Sequence, residues 1–497
     1  MGYVIGIDIG TGSTKAVAVD SGGRIIETSQ DSYSILEPEP TYSEQEPEAI
    51  WKAFSTCIRR ISSTLGEAPS AIVLSSAMHS IIPIDKEGNP LMNMITWADN
   101  RSALIAERIR HSPDGKSLYE DTGTPIHAMS PLCKLLWLKE NATTVFSKAS
   151  HFVSIKEYIW HKLFGVCEVD YAIASASGLF NIHQNEWNTL SLKVCGIQAS
   201  QLSKVVPAEH QRTGLTDGTE SLLHVPANTV FIIGASDGCL ANVGSFAIQP
   251  GTAALTIGTS GAIRVASAKP TINFKAMTFN YRLFDDLFIS GGPINNGGIA
   301  LKWYAGSFLK IPLETAADYD NLLDAIDATP AGSNGLIFLP YLLGERAPIW
   351  NSHSSGSFFG IRNYHTQDHF TRAVVEGISM ALYSIMNAME GAGLSIAKVH
   401  VSGGFVHSEG WLQILSDIFN KPIVLIHDED ASAIGATFLG LKVLGLIKNY
   451  EELNTAEHNT YLPNAENHAV YKLIFTVYQS LYDHTKDDMA KLVQFRN

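Results

Sequence analysis

Residues 4–20 read VIGIDIGTGSTKAVAVD, and the fold turns on this stretch. Val4, Ile5 and Ile7 run apolar into Asp8, and Ala16, Val17, Ala18 and Val19 run apolar onward, which predicts strand, tight turn, strand. Between the strands, Gly10 and Gly12 permit backbone conformations closed to other residues, so successive N–H groups can point at a phosphate. Thr11, Ser13 and Thr14 add hydroxyl donors, and Asp8, at the strand end, is placed to hold a metal that neutralises a polyphosphate. The alternative is a plain hairpin turn rich in Gly and Thr, because such turns are common.

A second copy favours the phosphate reading. Residues 255–266 read LTIGTSGAIRVA: apolar strand, I-G-T, two small residues, apolar strand. The pentads IGTGS (residues 9–13) and IGTSG (residues 257–261) share their first three residues and invert their last two. Two such turns predict two related halves that close on one polyphosphate from opposite sides, an internal repeat at domain scale.

The length of 497 residues suits two large domains or three of about 150 residues each. With 35 Lys and Arg against 49 Asp and Glu, the net charge is −14. Neither a basic surplus nor a basic run is present, which argues against nonspecific binding to nucleic acid or to an anionic membrane. Mg-nucleotide would therefore be held by local donors. Cys57, Cys133, Cys167, Cys195 and Cys239 are widely spaced with no C-x-x-C pair, as expected of reduced thiols in a cytoplasmic protein. The chain enters directly into a strand and has no 18-residue apolar run, so neither a signal peptide nor a membrane span is expected.

Along the chain, residues 47–65 read as a helix, with Ile50, Phe54, Cys57, Ile58 and Ile61 on a 3-4 spacing. A short buried strand, 71–75, delivers Met78 and His79 to a loop. Residues 95–101, ITWADNR, place an aromatic, a carboxylate, an amide and a guanidinium between a strand and a helix. Trp97 would stack on a polyol skeleton while Asp99 and Asn100 take hydroxyl hydrogen bonds; alternatively, Asp99 or Asn100 caps the helix and Trp97 is core. Residues 129–141 read as a packing helix opened by Pro131, with Leu132, Leu135, Leu136 and Trp137 apolar and Lys134 as the polar residue able to reach inward. Residues 167–178, with Asp170, Ser175 and Ser177, read as a loose turn of small residues.

The strand 230–233 leads into GASDG, which places Asp237 at a strand end between glycines. A substrate hydroxyl can come within hydrogen-bond reach of it, so Asp237 is the candidate general base; Asp-Gly is also a common turn dipeptide. Gly297 and Gly298 open a helix whose N-terminus can face phosphate or ribose. Residues 372–389 form a long helix. The strand 399–401 ends in Ser402-Gly403-Gly404, where bare backbone admits a flat adenine or ribose, or makes a plain turn. Residues 450–497 read as a helical tail.

Two extended patterns carry a resemblance that covers nearly the whole chain. Met129-Ser130-Pro131, Lys134-Leu135, Trp137-Leu138 and Glu140-Asn141 resemble the first signature of the FGGY family of carbohydrate kinases. Gly356, Phe358, Gly360-Ile361, His369-Phe370, Ala373-Val374-Val375 and Glu376 resemble its second. The resemblance implies an α/β, two-lobed, actin/hexokinase-like (ribonuclease H-like) fold with a cleft. Its lobes would be 1–243, carrying sugar site and base, and 244–445, carrying nucleotide, followed by a packed helical tail, 446–497. It implies Asp237 as catalytic base and Asp8 on the metal side of the first phosphate loop. Thr11, Gly12, Ser13 and Lys15 fall where nucleotide phosphates are held, and Thr259, Gly298, Lys302 and Gly404 at further nucleotide contacts.

Met78-His79 replaces the Arg-Glu pair of glycerol kinases and resembles the Met-His pair of xylulokinases. SAMHS, ITWADNRS and GERAPIW are most similar to gluconokinases. ATP and Mg2+ are the implied cofactors, and the implied partner is a small sugar or sugar acid, with a homodimer left open. The expected reaction is in-line transfer from MgATP to a primary hydroxyl, with Arg101 and Arg346 as candidates to meet an acid sugar's carboxylate. The absence of G-x-x-x-x-G-K-[ST] excludes a P-loop. An actin-like, ATP-switched scaffold would not need the Trp97-Asp99 loop, and a sugar sensor without catalysis would lack the base.

Overall fold

The opening stretch forms the hairpin that its pattern predicts: Val4–Ile9 and Ser13–Val19 pair antiparallel, with Asp8 opposite Lys15. The computed structural model describes residues 2–426, 430–453 and 459–495. They fall into two units, the first of Met1–Phe246, Ser267–Ser290 and Asp430–Thr455, the second of Ala247–Ala266, Gly291–Glu429 and Ala456–Asn497. The units are therefore discontinuous in sequence. Among the described residues no helix is long and apolar enough to cross a membrane.

In the first unit a six-stranded sheet runs in the order Gln211–Arg212, Phe231–Ser236, Ala71–Ser76, Val4–Ile9, Ser13–Val19, Ile25–Ser32. Val4–Ile9 pairs parallel with Ala71–Ser76, which pairs parallel with Phe231–Ser236. Continuous apolar runs suit these central strands because both faces are covered. Helix Pro47–Leu65 lies on one face, opened by Pro47 and closed by Gly66 at φ 67°, and buries Ile50, Phe54, Cys57, Ile58 and Ile61. The second unit repeats the scheme. Its strand Thr252–Ile257 pairs antiparallel with Gly261–Ser267 and parallel with Lys398–Ser402, and the latter pairs parallel with Ile423–Leu425. The paired pentads are thus the turns of two equivalent hairpins.

Helix Ala431–Val443 belongs by packing to the first unit, pressed on Val4–Ile9 and on helix Asp237–Gly244. Small residues make this approach possible: a Cβ on Gly435 would lie 1.9 Å from the Leu240 carbonyl oxygen, and one on Gly6 2.1 Å from that of Ala433. The tail contributes the edge strand Thr460–Tyr461 and helix Ala465–Leu492 to the second unit. The loose turn expected at 167–178 is instead strand Glu168–Asp170 followed by helix Tyr171–Ser175, because Arg212 and His210 pair with Glu168 and the buried Lys156 pairs with Asp170.

Glu168 ties the sheet edge together. Its Oε2 accepts from Trp160 Nε1 at 3.1 Å and Arg212 Nε at 2.6 Å, with His210 Nε2 at 3.0 Å, and its Oε1 accepts from Arg212 at 2.8 Å. The Arg212 fork, with these other donors, holds the carboxyl down to about 2. The free carboxyl titrates near 4.5, so the ionised form favours the folded state above that value and the advantage disappears as the pH falls toward 2. Glu168→Gln is expected to flatten the acid limb of the stability curve, removing roughly 2 to 3 kcal/mol of its fall between pH 5 and pH 2 in urea melts. Gly435→Ala is expected to lower stability by about 2 kcal/mol through backbone overpacking. Gly391→Ala, where a methyl meets nothing within 4 Å, should move the melt by less than about 0.5 kcal/mol.

Candidate active site

The first hairpin turn turns its carbonyls away from the site. Tyr33 Oη donates to the Gly10 carbonyl at 2.6 Å, Gln45 Nε2 to that of Thr11 at 2.7 Å, and the Tyr33 amide to that of Gly12 at 3.2 Å. An approaching anion is then spared these oxygens, the condition for a phosphate turn. Asp8 and Lys15 face each other across the ladder, and Ser75, opposite Asp8 on the parallel strand, donates to its Oδ1 at 2.7 Å. Lys15 Nζ lies 2.7 Å from Asp430 Oδ1.

Asp237 sits at the first position of helix Asp237–Gly244, immediately after Phe231–Ser236, and its Oδ1 accepts from the Gly238 amide at 2.6 Å. The strand breaks register between Ile232 and Ala235, where Gly234 takes φ 66° and a Cβ would lie 1.9 Å from the Leu74 carbonyl oxygen. Only glycine fits there, and the irregularity re-aims the strand end that carries Asp237. Burial, the Asp237 and Asp430 charges push Asp8 up to about 7, against the lowering effects of Ser75 and Lys15. Three carboxylates with one lysine thus leave excess negative charge. That donor chemistry fits a hard divalent cation that keeps waters and phosphate oxygens as further ligands. Among the described residues no group of three His, Cys, Asp or Glu side chains forms a metal cage by itself.

The two predicted sugar loops meet in this unit. Trp97 is half-buried and its Nε1 donates to Thr11 Oγ1 at 2.8 Å, which joins the 95–101 loop to the phosphate turn. Met78 packs against the cluster of Val169, Ile173 and Phe288. His79 is held at φ 65°, with Nδ1 2.8 Å from the Ala176 carbonyl oxygen and Nε2 3.2 Å from Tyr281 Oη. Lys134 reaches inward as its position suggested: Nζ donates to the His79 carbonyl at 2.5 Å and the Thr96 carbonyl at 2.7 Å.

Asp99 differs from expectation. Its carboxylate is fully buried and accepts from Arg101 Nε at 2.9 Å and from the Ser43 amide at 2.7 Å. Asp99 therefore shapes the loop and does not offer its oxygens to a substrate. The Arg101 side chain, 2% exposed, also donates to Glu44 at 2.7 Å and stacks 3.8 Å from the Tyr42 ring centre, which removes it as a receptor for a substrate carboxylate. Arg346 is buried and donates to the Ile294 carbonyl at 2.9 Å.

In the second unit, the amides of Gly298 and Ile299 donate to the carbonyls of Gly258 and Thr259 at 2.7 and 3.1 Å. The start of helix Gly298–Trp303 thus braces the second turn instead of aiming these two amides at a ligand. Thr259 is exposed on that turn, and Lys302 is exposed on the helix. Gly403 takes φ 108° where a Cβ would lie 2.9 Å from the Ile257 carbonyl oxygen, and Gly404 begins the short helix Gly404–His407 beside it. A cavity of about 220 Å³ is lined by Gly258, Gly298, Tyr319, Phe405 and Trp411, so two of these turns open onto a partly aromatic pocket.

Lys156, Ser75, Tyr281 and Asp430 carry no local motif that marks them; each acquires its place by pairing with residues far along the chain.

Models of the FGGY family of carbohydrate kinases match residues 3–244 with the N-terminal domain and residues 253–443 with the C-terminal domain. The chain is 39% identical to a gluconokinase of Bacillus subtilis (strain 168), over 99% of this chain and 98% of that one. Two solved structures from Lactobacillus acidophilus, a gluconate kinase and a ligand-bound xylulose kinase, each superpose with a TM-score of 0.94 at 34% identity. The first alignment covers 100% of both chains, and the second 99% of this chain and 100% of the other. The paired hairpins, the two signatures and these full-length likenesses agree: the chain belongs to the FGGY family of carbohydrate kinases.

Proposed function

We propose that this protein transfers the γ-phosphoryl group of ATP to a primary hydroxyl of a sugar acid, with D-gluconate as the substrate. The observation that carries the substrate is the 39% identity to a gluconokinase across 99% of the chain. In this reading Asp237 accepts the hydroxyl proton, Met78, His79 and Trp97 orient the sugar, and Asp99 acts through the loop it braces. Thr11, Gly12, Ser13 and Lys15 meet nucleotide phosphates; Lys15 exchanges the Asp430 carboxylate for phosphate. Thr259, Gly298, Lys302 and Gly404 make further nucleotide contacts, and the 220 Å³ cavity suits a purine against Phe405 and Trp411. Asp8 would hold Mg2+, whose charge offsets that of the phosphates during transfer.

The carboxylates explain the division of labour. Asp8 is pushed up to about 7 with Asp237 close enough to repel it, so a cation bound at Asp8 would draw its proton off and leave Asp237 to act on the hydroxyl. A second reading, D-xylulose as substrate, is supported by Met78-His79 and by the equal likeness to the two Lactobacillus acidophilus structures.

ADP release from MgATP, measured across gluconate, xylulose, ribulose and glycerol, tests both readings. Gluconate is expected to give the highest kcat/KM, and Asp237→Asn to lower kcat by about 10²- to 10⁴-fold with KM for the sugar within a few-fold. Strongest stimulation by xylulose would replace the substrate and keep the base. If no sugar raised ADP release, the kinase reading would fail.

A further inference from the structure

Lys134 and Lys156 are the puzzle of the first unit, for they are 0% and 1% exposed and the reaction described above uses neither. Burying an ammonium group is costly, and burial pushes Lys134 down to about 7 and lowers Lys156. Each ammonium is tolerated because fixed acceptors surround it, two carbonyls at Lys134 and a carboxylate with a carbonyl at Lys156. What the lysines add is donors in fixed places.

Lys134, on helix Pro131–Asn141, donates to the His79 carbonyl at 2.5 Å and the Thr96 carbonyl at 2.7 Å. One carbonyl lies in the loop of Met78 and His79, the other immediately before Trp97. His79 is in the left-handed region at φ 65°, which a residue with a Cβ adopts only when its surroundings hold it. Lys156, on helix Ile155–Phe164, donates to Asp170 Oδ2 at 2.8 Å and the Ala235 carbonyl at 2.9 Å. Ala235 follows the Gly234 irregularity and stands two residues before Asp237. Asp170 Oδ1 meanwhile caps helix Tyr171–Ser175 through the amides of Ala172 and Ile173 at 2.9 and 3.1 Å, so the Lys156 anchor is itself fixed.

We propose that the two buried lysines are separate positioning residues: Lys134 sets the two sugar loops relative to each other, and Lys156 sets the backbone that aims Asp237. The proposal rests on the kinase reading given above, and it predicts that the two lysines fail differently. Each lysine acts through the backbone it holds and touches no substrate.

The test compares wild type, Lys134→Met and Lys156→Met by thermal melting and by initial rates with the sugar that wild type prefers. Lys134→Met should raise KM for the sugar about tenfold or more, with KM for ATP and kcat within about threefold. Lys156→Met should lower kcat about tenfold or more, with KM for the sugar within about threefold. Both should melt earlier, so a merely structural role would shift the melts without splitting the kinetics. Hydrogen exchange reads the same split without turnover: Lys134→Met should speed exchange at residues 78–80 and 96–98, and Lys156→Met at residues 233–238. A wild type inactive on every sugar would sink the kinase reading and leave the split to be judged on exchange. Should a Met variant not fold, Lys134→Gln and Lys156→Gln, which keep two N–H donors on a shorter arm, carry the comparison. Equal effects on KM and kcat from both positions, or faster exchange spread over both segments alike, would overturn the proposal.

Discussion

Two carboxylates that repel each other set the terms for the first unit. Asp8, one residue short of the end of Val4–Ile9, and Asp237, directly after Phe231–Ser236, belong to strands on either side of Ala71–Ser76, and burial together with the Asp237 charge pushes Asp8 up to about 7. An arrangement that costs free energy persists only where the surrounding structure over-determines it. Here the over-determination is visible. Ser75 donates to Asp8, Lys15 stands opposite it in the ladder, and a register break at Gly234 fixes the approach to Asp237.

The scaffold behind those carboxylates is stiff because backbones touch. Helix Ala431–Val443 meets Val4–Ile9 at Gly6 and helix Asp237–Gly244 at Gly435 with no room for a Cβ. A strand carrying one carboxylate and a helix starting at the other are thus packed on a common element. Polar groups do the rest. The Glu168 cluster holds the edge strand next to Phe231–Ser236, and the Asp99–Arg101 pair, stacked on Tyr42, holds the loop of Trp97. Both arginine–carboxylate pairs are forked, which fixes direction as well as distance.

Family membership and substrate are separable conclusions. The turn-bearing hairpins recur in both units, and two domain models match the chain. The hydroxyl-reading surface rests on a few side chains, Met78, His79 and Trp97, on loops that the scaffold merely positions. Two solved relatives with different sugars in their names superpose equally well on this chain. Backbone likeness therefore weighs little in choosing between gluconate and xylulose, and substrate turnover decides.

Features written in short windows were legible from the sequence alone. Both hairpins follow from apolar runs flanking Gly and Thr, the 47–65 helix follows from its 3-4 spacing between Pro47 and Gly66, and both signatures mark the family. These depend on local sterics and periodicity, which neighbouring residues specify. The fate of individual polar groups was not legible. Asp99 has the composition of a sugar ligand yet is consumed by Arg101 and Ser43, and the supposed loose turn at 167–178 is ordered because Asp170 meets Lys156. The amides of Gly298 and Ile299 brace a turn when their pattern suited a phosphate. In each case the outcome rests on which donor and acceptor meet inside the fold. The sequence by itself determined the hairpins and the family; tertiary structure alone decided which charged groups are consumed in holding the backbone, because desolvated charges must pair with whatever partner the packing brings within reach.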